Sequence, residues 1–100
     1  MDTMWIGALE LDLLLGEVHS LKEKRSLVRP ILAELRRRFE VSVAEVGSLD
    51  LHRRAGIGVG LVAADSARVV EVLDAAERLV AARPEAELLS AHRQLFTGED

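Results

Sequence analysis

Three observations on this 100-residue chain predict an α+β fold of β-α-β-β-α-β order. Apolar residues alternate with period two over 5–15 and 55–63, and they recur at helical spacing over 20–38 and 65–83. A capping residue, Ser20 or Asp65, stands at the head of each helical stretch. Right-handed crossovers then put both helices on one side of a four-stranded antiparallel sheet, the ferredoxin-like arrangement. A single domain over 1–100 is expected, with loose ends at 1–3 and 97–100.

The first strand is residues 5–15. Trp5, Gly7, Leu9, Leu11, Leu13 and Leu15 fall on one side, and Ile6, Ala8, Glu10, Asp12 and Leu14 on the other, so one face is buried. Gly16 to His19 is a turn. Ser20 and Glu23 form a capping box, and Leu21, Val28, Leu32, Leu35 and Phe39 continue a helix to about Arg38. Pro30 removes the amide that would bond the Ser26 carbonyl, which predicts a kink near Ser26 to Pro30 rather than two helices.

Residues 41–47, "VSVAEVG", read as a second strand from their β-branched content, and 48–54 as a polar connection. The third strand, 55–63, sets Ile57, Val59 and Leu61 against Gly56, Gly58 and Gly60 on its other face. Asp65 caps the second helix, whose stripe is Val69, Val72, Leu73, Ala76, Leu79 and Val80; Arg83, disfavoured for helix before Pro84, ends it. Residues 86–96 form a last strand of mixed pattern, expected at an edge. The Leu9/Leu11/Leu13 side should meet the helices, and the Glu10/Asp12 side, beside the glycines, should face outward.

Composition narrows the functional classes. With no cysteine, disulfides and thiolate metal sites are excluded. The opening "MDTMWIGALELDLLL" lacks a basic leader and carries Glu10 and Asp12 in its apolar run, so neither a signal peptide nor a membrane span is expected. The expected location is the cytoplasm. Eleven Arg against two Lys and the absence of Asn point to a heat-adapted source or a GC-rich genome.

The segments "HSLKEKRSLVRPILAELRRRF", "FEVSVAEV" and "DLHRRAGIGVGLV", in that order, resemble the YlxP-like family of small bacterial proteins, a domain of unknown function. The resemblance runs from Met4 to about Leu95. It implies a ferredoxin-like fold and, because genes of such proteins often neighbour translation-initiation and ribosome-maturation genes, a ribosome-related role. It implies no catalytic residues. The chain departs from the usual pattern at His52, where an aromatic is common, and at Pro30.

The candidate site is the basic edge of the first helix. At 100° per residue Lys22, Arg25, Arg29 and Arg36 lie within about 60° of one another. Arg53 and Arg54 are candidates to extend the row. Residues 19–54 hold nine cations and five anions, a net +4 in a chain of net −4, so the molecule is strongly dipolar. Such a row suits a phosphate backbone or an acidic protein surface, although a solvated helix face would look the same.

The glycine stripe Gly56, Gly58, Gly60 is not a dinucleotide fingerprint. It implies close approach of a backbone or a ligand, or a partner or dimer surface. Glu10 and Asp12, with His92 from the neighbouring strand, could act as an acid–base pair or hold a hard cation, or be solvated charges or partners of Arg93. Base stacking on the sheet is not expected, since Trp5 points to the core side and no aromatic platform remains. A phosphatase-like anion loop is excluded by Glu17 after the first strand.

The expectation is therefore a non-enzymatic binding protein without cofactor or metal. It would contact ribosomal RNA or a ribosomal or translation-factor protein through helix 1. The alternative is a homo-oligomeric module, such as a homodimer, that uses the glycine-lined sheet face. A small-molecule enzyme built on Glu10, Asp12 and His92 stands third.

Overall fold

A computed structural model describes residues 3–98. Its elements are β1 (Trp5–Leu15), α1 (Leu21–Arg38), β2 (Ser42–Glu45), β3 (Arg54–Ala63), α2 (Ser66–Ala81) and β4 (Ala86–Thr97), in the expected order. The sheet runs β2-β3-β1-β4, and every neighbouring pair is antiparallel. This is the ferredoxin-like α+β fold. No helix of the described residues is long and apolar enough to cross a membrane.

Alternation in β1 does what its pattern requires. Leu9, Leu11, Leu13 and Leu15 are buried beneath the helices with Ile57, Val59, Val69, Leu73, Ala76 and Val80, while Glu10 on the other face is exposed. Gly7 lies on the buried side for a steric reason: a methyl group there would collide with Val69 of α2. The helix can settle onto β1 only because that position lacks a side chain.

Both helix starts are capped as expected. The Ser20 hydroxyl accepts from the Glu23 amide at 3.1 Å, and Asp65 accepts from the Arg68 amide at 2.8 Å. The return bond of the capping box is displaced by one residue, since the Glu23 carboxylate accepts from the His19 amide at 3.4 Å rather than from Ser20. α1 continues without a break through Pro30 and ends at Phe39, whose amide bonds the Leu35 carbonyl at 3.0 Å.

Three details differ from the sequence expectation. β2 is shorter than 41–47, because Gly47 (φ 64°) and Ser48 (φ 50°) turn the chain away. The mixed pattern of β4 comes from an extra residue: Asp12 pairs with Ser90 but Leu13 with Leu88, so Leu89 bulges and exchanges the faces beyond it. Thr97, expected in a loose end, belongs to β4, and the Gly98 amide bonds the Met4 carbonyl at 2.9 Å. The remainder of the expected loose ends, 1–2 and 99–100, lies outside the described residues.

Candidate nucleic-acid interface

The inward face of α1 is centred on a residue that its apolar pattern conceals. Lys24 is 1% exposed and lies in line with the buried Val28, Ile31 and Leu35. Leu21, Leu32 and Phe39, which the sequence sets at helical spacing with Val28 and Leu35, are only partly buried beside it. Burying an ammonium group is costly unless each of its three donors is met. Here the Lys24 Nζ donates to the Ser48 carbonyl at 2.7 Å and the Leu51 carbonyl at 2.8 Å, and it pairs with a Glu45 carboxylate oxygen at 2.9 Å. Three donors meet three oxygens. The charge is thereby spent inside the protein, where it ties α1 to the end of β2 and to the loop that follows.

About 100° to 160° around the helix from Lys24 stands the expected row of Lys22, Arg25, Arg29 and Arg36. All four are exposed, yet they are not equivalent. Arg36 donates through Nη2 to the Val43 carbonyl at 2.9 Å, so it closes part of the β2 edge. Lys22, Arg25 and Arg29 make no ion pair or hydrogen bond through their side chains among the described residues.

Helix stability does not account for these three. Lys22 is in the first turn, where the helix dipole disfavours a cation. The Lys22–Arg25 and Arg25–Arg29 spacings set like charges at i,i+3 and i,i+4, each costing about 0.2–0.5 kcal/mol. Arg36, Arg37 and Arg38, in contrast, occupy the last turn, where a cation is favoured. Arg37 also reaches Glu34 at 3.4 Å.

Arg53 and Arg54, unlike Lys22, Arg25 and Arg29, are held by internal partners. The Arg53 Nε donates to the Leu15 and Gly16 carbonyls at 3.3 and 3.0 Å, beside His19 and His52 in a depression of about 500 Å³. Arg54 grips both carboxylate oxygens of Asp12, its Nη2 on Oδ2 and its Nε on Oδ1 at 3.3 Å. It does so on the sheet face opposite the helices, because Asp12 alternates with the buried Leu11 and Leu13.

The other expected cluster shares one face of the sheet. Glu10 and His92 are cross-strand neighbours, and Asp12 pairs with Ser90. These residues line a depression of about 280 Å³ with Ser48 and Gly56. Among the described residues no three of His, Asp and Glu come together as a metal set. Arg93 takes neither carboxylate, since it points from β4 toward α2 and bonds Asp74 at 2.8 Å and Glu77 at 3.3 Å.

The glycine stripe is partly explained within the chain. A methyl on Gly56 would collide with the Val46 carbonyl oxygen, and one on Gly58 would crowd the Val46 side chain at 3.3 Å. The close approach inferred from the sequence is the end of β2 folding over β3. Above Gly60 the space is open, with nothing nearer than the Gly7 carbonyl at 3.8 Å.

The fold and the edge together define a small ferredoxin-like domain whose first helix displays three cations without an internal partner among the described residues. The chain belongs to the family described as "Protein of unknown function (DUF503)", which matches residues 6–93. It is similar to the uncharacterized protein YlxP of Bacillus subtilis (strain 168), with 29% identity over 91 residues covering 91% of this chain and 99% of that one. Among solved structures, a de novo designed protein, Foldit4, superposes with a TM-score of 0.49 at 14% identity over 94% of each chain. A Shewanella oneidensis protein, SO0527, does so with a TM-score of 0.45 at 18% identity over 91% of this chain and 89% of that one.

Proposed function

We propose that this chain is a non-enzymatic binding protein of the cytoplasm that engages RNA, with ribosomal RNA as the foremost candidate, through Lys22, Arg25 and Arg29 on α1. One observation carries this reading. Three neighbouring cations stand exposed on one helix edge without an internal partner, in positions where they cost helix stability. A phosphate backbone supplies the counter-charge, and displacement of its condensed counterions supplies affinity without reading base sequence. The positive segment 19–54, set in an otherwise acidic chain, orients the approach.

The test is co-sedimentation with ribosomal particles from lysate at low salt, with and without nuclease. The expected result is nuclease-sensitive association that is released as salt rises and is lost in Lys22→Glu/Arg25→Glu/Arg29→Glu. Association that survives nuclease assigns the edge to an acidic protein instead, and unchanged sedimentation of the charge-reversed chain removes the proposal.

A further inference from the structure

On the sheet face turned away from the helices, Val46 closes over Gly56 and Gly58 while the space above Gly60 is open, and the composition of the face is graded across the strands. Reading β3, β1 and β4 in register, its rungs are Val62–Ile6–Phe96, Gly60–Ala8–Gln94, Gly58–Glu10–His92, Gly56–Asp12–Ser90 and Arg54–Leu14–Glu87. Three of the five rungs have glycine on β3 and a larger side chain on β4. The first is wholly apolar and exposed, with Val62 at 61%, Phe96 at 40% and Ile6 at 36%. A hollow of about 300 Å³ lies on the β3 side, lined by Ala8, Ala44, Gly58, Gly60 and Val46 among others.

We infer that this face is closed by a second copy of the chain, related by a two-fold axis running along β1. Such an axis exchanges β3 with β4. Each copy then lays Gln94 of β4 over Gly60 of the other, into the hollow, sets His92 against the Val46 side chain beside Gly58, and stacks Phe96 on the partner's Val62. A two-fold axis across the strands would instead set glycine on glycine and bulk on bulk, leaving a void beside a clash. The match is isologous: one surface supplies both the hollow and what fills it.

The area fits a weak, concentration-dependent dimer. An axis along β1 overlaps β3, β1 and β4 but leaves β2 outside, so three strands about 4.8 Å apart over about 33 Å of ladder give roughly 480 Å² per copy and roughly 950 Å² in total, the size of a transient contact. Opposition comes from Glu10 and Asp12, which lie next to the axis on β1 and each face their own copy, although Asp12 is offset by Arg54.

Sedimentation velocity across the micromolar range tests this, with three variants. The wild type is expected to pass from monomer to dimer as concentration rises. Gly60→Arg, which fills the hollow and meets open space in the monomer, is expected to weaken association at least about tenfold. Glu10→Gln is expected to strengthen it by about tenfold through loss of the facing carboxylates. Lys22→Glu/Arg25→Glu/Arg29→Glu is expected to dimerise as the wild type does, which keeps this inference separate from the RNA reading. A chain monomeric at every concentration overturns the inference, as does a dimer indifferent to Gly60→Arg.

Discussion

Lys24 and Arg25 are neighbours on α1, and both are long cations, yet they do opposite work. Lys24 is enclosed, with its three protons on three oxygens of β2 and the following loop. Arg25 projects into solvent with Lys22 and Arg29 and holds nothing. One residue of helical rotation, 100°, separates a structural cation from an available one. A helix rich in Lys and Arg is thus two surfaces, and the internal acceptors decide which charges remain free for a partner.

The comparison can be broken first from the buried side. Lys24→Met keeps an apolar stem but leaves Glu45 and two loop carbonyls without their donor, so a loss of about 3 kcal/mol is expected, read by urea denaturation. Hydrogen exchange should quicken over residues 46–53 in the same variant. A stability unchanged within error would mean that the enclosed charge adds nothing over a packed thioether.

The cations with one internal anchor come next. Arg36→Ala removes the bond to the Val43 carbonyl and is expected to cost about 1 kcal/mol. Arg54→Ala breaks a bidentate pair that is partly open to water, its two side chains 41% and 34% exposed, and is expected to cost less than about 1 kcal/mol. At the far end, Lys22→Ala/Arg25→Ala/Arg29→Ala should leave stability within about 0.5 kcal/mol of the wild type or raise it slightly, because like charges are relieved. A large loss in that variant would show that the row is structural after all.

Much of the fold was legible because local signals agreed with one another. Alternation in β1 marked its buried face, Ser20 and Asp65 marked the helix starts, and the glycines of β3 marked the open face. The register of β4 was not legible, since the bulge at Leu89 leaves no periodic signature in so short a strand. Lys24 was concealed by its type: a lysine on a basic helix reads as solvated. Its spacing was nevertheless informative, for 24, 28, 31 and 35 repeat the 4-3-4 intervals of a core line. Division of the basic edge into free and anchored members could not be read at all. It depends on where β2 and the Asp12 carboxylate come to lie, which is a property of the tertiary fold.

The most direct measurement is the salt dependence of binding to a fluorescently labelled ribosomal RNA fragment, for the wild type and for Lys22→Ala/Arg25→Ala/Arg29→Ala. Each lost phosphate contact to a single strand should flatten the slope of log K against log salt by about 0.7, so a change of about 2 is expected, with weaker binding at low salt. Equal slopes and equal affinities for the two chains would contradict the account.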